Sequence, residues 1–193
     1  MSRTAGTDEP AEHFEEAPMS TATHTARHVV VEFPIGPLTL VRDEGGLSGI
    51  YFPGHWTRPD VAGFGPRADA AKDGGFAAEI AQLREYFAGE RRAFELDLNP
   101  RGTERARQVW RLLAAIPYGE TTTYGALARE VGGGISPRAI GGFVGHNPIS
   151  IIIPCHRVVG STGSLTGYAG GLDRKRRLLE LERAIPAAEP TLW

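Results

Sequence analysis

Three consecutive glycines, Gly132 to Gly134, followed two residues later by Ser136-Pro137, constrain this chain more than any other stretch. Glycine ends a helix because it accepts the left-handed backbone that other residues resist. A serine followed by proline starts one. The hydroxyl accepts from a free N–H of the first turn, and the fixed φ of proline suits the first helical position. The segment "YGALAREVGGGISPRAIGGFVGH" therefore predicts two short helices joined across a glycine turn, the first capped by Thr123. Such a pair is the signature of a helix-turn-helix. Helical hairpins that never touch DNA share it, so DNA binding stays open at this point.

The rest of the chain divides around that pair. Residues 1–25, poor in large apolar groups and rich in Ala, Thr, Pro and Glu, are expected to be a disordered leader. From His28 onward, "HVVVEF", "LTLVRD" and "LSGIYF" alternate between "PIGP" and "EGG" and predict a small antiparallel meander. A long Gly/Pro-rich connection leads to "FAAEIAQLREYFAG". There Phe76, Ile80, Leu83 and Phe87 recur at helical spacing, and Gly89 supplies a stop. "AFELDL" is expected to return as one more strand. Residues 26–100 thus form a strand-rich α+β subdomain without clustered reactive side chains. Residues 101–193 form a second, mainly helical unit, giving an α+β chain overall. In that unit Val109, Trp110, Leu112, Leu113 and Ile116 line a helix from Thr103, and "LDRKRRLLELERAI" is a closing helix. The basic run Arg174 to Arg177 reads as a solvated helical face.

Charge is distributed unevenly. Residues 101–193 hold twelve Lys/Arg and seven Asp/Glu, a net of +5, whereas residues 1–20 carry a net of −4. A basic second unit suits a polyanionic partner, although a solvated surface explains it equally well. No run of about 18 apolar residues exists, so no membrane span is expected. The start of the chain lacks the basic and apolar regions of a secretory signal. With a single cysteine there is no internal disulfide, which points to the reducing cytoplasm.

That cysteine, Cys155, stands in "IIIPCHRVVG". A lone cysteine is usually a buried, inert side chain. Here Pro154 biases Ile153 to extended backbone, so the thiol is expected at a strand-to-turn junction, exposed and rigidly held. A thiol attacks as thiolate and needs a base or a cation nearby. His156 with a distant carboxylate is one source, and Arg157 adds positive charge. A zinc site is not expected. There is one cysteine, and His13, His24, His28, His55, His146 and His156 show no ligand spacing.

Taken together, "NPISIIIPCHRVVG", "SLTGYAGG", "RAIGG" and "IPYGETTTYGALA" resemble the O6-alkylguanine-DNA alkyltransferases, the methylated-DNA–protein-cysteine methyltransferases. The resemblance runs over about residues 102–182. It implies that Cys155 accepts the alkyl group of O6-alkylguanine, and of O4-alkylthymine as a further candidate, in one irreversible displacement. His156 would act through a water as base, oriented by Glu182. Asn147 would hold the turn beside the thiol. Tyr124 would turn the target phosphate and donate a proton to the leaving guanine. Arg138 would fill the gap left by the flipped base, while Ala139, Gly141 and Gly142 let the helix approach a minor groove. Tyr168 and Ala169 would wall the guanine pocket, and the Val158 backbone would read the guanine amino group. No cofactor or metal is implied. The partner would be double-stranded DNA, met by a monomer.

Two positions depart from the family pattern. Phe143 replaces a small residue in the recognition helix, where a ring can wedge into a groove, repack against the core or obstruct docking. Arg105 and Ala106 replace an aromatic and a glutamine. Two other readings remain open: a lesion-binding relative without chemistry, which typically lacks the cysteine, and a cysteine hydrolase using Cys155 and His156.

Overall fold

The computed structural model describes residues 26–187 apart from Trp56 and Arg58. The leader expected over 1–25 lies outside the described residues.

Alternating apolar residues build the first sheet. Strands β1 (Arg27–Phe33), β2 (Gly36–Asp43) and β3 (Gly46–Tyr51) pair antiparallel in the order β1-β2-β3. Val29 and Val31, and Leu38 and Leu40, turn inward at a period of two, whereas Leu47 and Ile50, three residues apart, are both buried across a register shift in the β2–β3 pairing at Val41/Arg42. Helix α1 (Ala77–Phe87) covers them through Ile80, Leu83 and Tyr86, and Gly89 beyond it takes a φ of 78°. The strand expected over 93–98 does not form. Leu98 makes one isolated bridge to Leu47, and the charged residues around it stay outside.

Asp43 anchors the crossing into the second unit. Its buried carboxylate accepts from Asn99 Nδ2 at 2.9 Å and from Arg101 Nη2 at 2.6 Å. Helix α2 (Glu104–Ala114) then starts under the Thr103 hydroxyl, which accepts from Ala106 N–H. Ala106 is in the core and Arg105 is exposed, so the departure from an aromatic there leaves no hole.

The helix pair forms as its signals predict. Helix α3 (Tyr124–Val131) is capped by Thr123 and helix α4 (Pro137–Gly145) by Ser136, each through its hydroxyl. Gly132, Gly133 and Gly134 all adopt positive φ, at 73°, 64° and 70°. Only glycine makes three such steps in a row without strain. Trp110 Nε1 on α2 donates to the Phe143 carbonyl of α4 at 2.9 Å, fixing the pair to the core. The Phe143 ring is half-buried against that core. A two-residue parallel pairing joins β4 (Thr122–Thr123) to β5 (Val158–Val159) and ties the start of α3 to the segment after the thiol. Helix α5 (Leu172–Leu181) closes the fold.

Candidate active site

The approach to Cys155 is a coiled turn rather than a strand. Residues 150–153 are turn and bend, and Ile149 makes only a single bridge to Ile50. Ile151 takes a φ of 74°, a left-handed backbone that a β-branched side chain strongly resists. It persists because Asn147 spans the turn from inside. Asn147 Nδ2 donates to Ile153 O at 2.7 Å, and Asn147 Oδ1 accepts from Ile149 N–H at 3.1 Å. Apolar character alone cannot distinguish such a buried turn from a buried strand. Cys155 then opens a single 3-10 turn, Cys155–Arg157. Its thiol is not exposed, with 4% of its surface accessible.

Behind the thiol is a buried ionic cluster. His156 Nε2 lies 2.9 Å from Glu182 Oε1. Because a carboxylate oxygen accepts, Nε2 carries the proton and Nδ1 keeps the lone pair. Nδ1 is buried without a protein hydrogen-bond partner. Burial pushes the His156 pKa down against the opposing pull of Glu182, so the ring rests neutral. Glu182 follows the last residue of α5, where the helix dipole disfavours a negative charge. Burial too would raise its pKa, but His156 and Arg157 hold it at about 2. Arg157 donates through Nε to Glu182 Oε2 at 2.8 Å and through Nη2 to Oε1 at 2.9 Å. Its charge is therefore committed to Glu182 rather than to the thiol.

The cation that reaches the thiol is Lys175, inside the run expected to be a solvated face. Lys175 is fully buried, and its Nζ donates to Val158 O at 2.5 Å and Thr166 O at 2.6 Å. Arg174 is also drawn inward. It lies 5.1 Å over the Phe52 ring and donates to Gly170 O. Only Arg176 and Arg177 of the run are exposed. The four-residue basic block hides an inward position because α5 turns one face in every 3.6 residues to the core. Burial pushes the Cys155 pKa up, while Asn147, the Lys175 charge and nearby backbone N–H groups draw it back. Burial lowers the Lys175 pKa to about 8.

Loop 160–171 forms one wall around this centre. Tyr168 and Ala169 are buried, and Val158 has no exposure. The Tyr168 hydroxyl is buried without a protein partner, its ring 6.4 Å from that of His156. Phe52 of the first subdomain supports the loop from behind. It meets Tyr168 edge-on at 5.8 Å, and a Cβ at Gly170 would lie 2.5 Å from its ring. Tyr124, the first residue of α3, donates through its hydroxyl to Thr166 O at 3.3 Å. Lys175 and Tyr124 thus hold the same loop carbonyl from two sides.

On the outer side, Arg138 and Ala139 are exposed on the first turn of α4, Gly142 is exposed and Gly141 half-buried. The structure therefore brings Cys155, His156, Glu182, Asn147 and Lys175 into one buried cluster and leaves Arg138, Ala139 and Gly142 on an outward helix face. Sequence reasoning missed Lys175 and Tyr86. Tyr86 reaches Glu182 Oε1 at 2.7 Å from α1, in the subdomain expected to lack reactive groups. Among the described residues, no helix is long and apolar enough to cross a membrane.

A buried thiol beside an imidazole–carboxylate pair, on a helix-turn-helix scaffold, defines a class of thiol-bearing proteins with a nucleic-acid-binding architecture. Comparison with known proteins narrows that class. The family pattern described as 6-O-methylguanine DNA methyltransferase, ribonuclease-like domain, matches residues 27–100. The one described as 6-O-methylguanine DNA methyltransferase, DNA binding domain, matches residues 104–184. A methylated-DNA–protein-cysteine methyltransferase of Mycobacterium tuberculosis is 44% identical over 171 residues, covering 84% of this chain and 96% of the relative. One from Methanosarcina acetivorans is 44% identical over 155 residues, covering 80% and 97%. The crystal structure of the M. tuberculosis O6-methylguanine methyltransferase superposes with a TM-score of 0.73 at 42% identity, covering 85% of this chain and 96% of that one. The M. tuberculosis OGT structure in complex with DNA gives 0.71 at 44% identity, covering 82% and 93%. The chain belongs to the 6-O-methylguanine DNA methyltransferase family.

Proposed function

We propose that this protein repairs DNA by moving the alkyl group of O6-alkylguanine onto Cys155. The observation that carries the reading is the buried Cys155–His156–Glu182 cluster at the inner side of a helix-turn-helix. An alkyl group inside a base stack is out of reach of any side chain, so the nucleotide must leave the duplex first. Exposed Arg138 on α4 fills the vacated space. Ala139, Gly141 and Gly142 keep the helix slim enough to lie in a minor groove. Tyr124 turns the phosphate of the target nucleotide, and the flipped base enters between Tyr168, Ala169 and the Val158 backbone.

The thiol proton passes through a water to the free Nδ1 of His156, and Glu182 stabilises the imidazolium that results. The sulfur then forms a bond to the alkyl carbon as the carbon–O6 bond breaks. The electron pair stays with the guanine, which takes a proton from Tyr124. The product is a thioether with no ready hydrolytic route, and the chain has no second cysteine to displace it. Each molecule therefore acts once, as a monomer, without metal or cofactor. A reducing cytoplasm suits a protein that depends on one unoxidised thiol. O4-alkylthymine, which presents a comparable alkyl ether, is a second substrate.

Intact mass after incubation with an O6-methylguanine duplex tests this directly. One added methyl group per chain, located on Cys155 and absent from Cys155→Ser, is expected. An unchanged mass in folded protein with an intact thiol overturns the proposal.

A further inference from the structure

Glu182 Oε1 is a crowded acceptor. His156 Nε2, Arg157 Nη2 and the Tyr86 hydroxyl converge on it at 2.9, 2.9 and 2.7 Å. A carboxylate oxygen offers about two lone-pair directions, so the three donors share its electron density. The hold that His156 experiences depends on how much the other two withdraw. Tyr86 is the member of this set that comes from the first subdomain, 96 residues away in the chain. Its ring is fully buried, with Phe87, Phe94 and Tyr118 at 5.3, 5.4 and 6.3 Å. A buried tyrosine must find some acceptor. This one has taken the oxygen that orients the base.

We propose that Tyr86 is a positioning residue for alkyl transfer: its hydroxyl sets the basicity of Glu182 and, through it, that of His156, making the first subdomain part of the chemical apparatus. The proposal rests on the alkyl-transfer reading above. Burial raises the Tyr86 pKa well above its ordinary value, so the phenol stays a donor at all working pH values. The other groups facing the pair are Arg157, Tyr118, Lys175, Cys155 and Tyr168, and all remain in the variants below.

Two substitutions in the full chain pull in opposite directions. Tyr86→Phe keeps the ring packing and removes the donor. Glu182 then becomes more basic and His156 holds its proton more tightly. Replacing Tyr86 by 3-fluorotyrosine gives a stronger donor and the reverse effect. The His156 ring is followed by 15N NMR titration in the free protein, and methyl transfer to an O6-methylguanine duplex is followed against pH. With Tyr86→Phe, the proton affinity of His156 should rise roughly threefold, moving the acid limb of transfer up by about half a pH unit. Transfer below that limb should slow about threefold, with duplex affinity unchanged. Fluorotyrosine should move both readouts the other way, which mere loss of packing cannot do.

Unchanged His156 titration in both variants overturns the proposal. So does a slower rate with an unmoved pH profile. If the parent chain transfers no methyl group, the alkyl-transfer reading fails instead, and the NMR titration alone decides whether Tyr86 controls His156.

Discussion

The Lys175 ammonium donates to Val158 O at 2.5 Å, three residues beyond the thiol, from a position with no solvent exposure. Among the described residues its hydrogen-bonding partners are main-chain oxygens, those of Val158, Thr166 and Gly167, and no carboxylate. A buried cation held by main-chain oxygens favours an anion nearby, and Cys155 becomes that anion when its thiol ionises. Lys175→Met should therefore slow alkyl transfer and move its dependence on thiol ionisation to higher pH. The check is a rate–pH profile with an O6-methylguanine duplex. A profile superimposable on the parent would remove Lys175 from the activation of the thiol. In the parent, the Lys175 charge fades as pH rises through about 8, so its support of the thiolate weakens above that point.

Glu182 ties pH to stability. Its pKa is lowered from 4.5 to about 2 in the folded protein. A depressed carboxylate contributes stability that is present above its unfolded pKa and lost as pH falls through the folded value. The window is about pH 4.5 down to about 2, and the shift corresponds to about 3 kcal/mol. Denaturant titrations at a series of acid pH values should show this loss. In Glu182→Gln that acid dependence should shrink. The variant should also be less stable at pH 7 by about 3 kcal/mol, because Arg157 remains buried without its partner. Its alkyl transfer should be slower and its thiol pKa raised.

Phe143 is half-buried against the core, and its carbonyl receives the Trp110 indole. The ring therefore packs inward from α4, and the wedge and obstruction readings lose ground to repacking. Phe143→Ala should cost about 2 kcal/mol of stability, less than a fully buried phenylalanine would. Duplex affinity measured by fluorescence anisotropy should stay within about threefold of the parent, since losing a half-buried ring alters few contacts at the DNA face. A large loss of affinity with little loss of stability would assign the ring to the groove instead.

Gly133 has a φ of 64° and open space around the place a Cβ would occupy. Gly133→Ala should thus report backbone strain alone, about 1 kcal/mol in chemical denaturation. A neutral result would mean that the turn between α3 and α4 relaxes without cost.

Much of the architecture was legible from local chemistry. The helix start near Thr103, the caps Thr123 and Ser136, the helix-ending glycines and the apolar strands each act within a few residues, so their spacing in the chain predicts them. Cys155, His156, Glu182 and Asn147 were legible for a different reason. They were picked out by a motif that resembles a family, and the structure adds that His156 meets Glu182 at 2.9 Å and that Asn147 spans the turn before the thiol. The turn at 150–153 was not legible, because a run of isoleucines reads as extended until Asn147 is seen holding Ile151 in a left-handed backbone.

By itself, then, the sequence determined where helices start and stop, where the apolar strands of the meander lie, and which residue is the candidate nucleophile. Only the tertiary structure decided which charges surround that nucleophile. Arg157 lies two residues from Cys155 yet is neutralised by Glu182, whereas Lys175 is twenty residues away and buried beside the loop. Tyr86 enters from another subdomain altogether. Electrostatic effects depend on distance and burial in space, and neither quantity is set by separation along the chain.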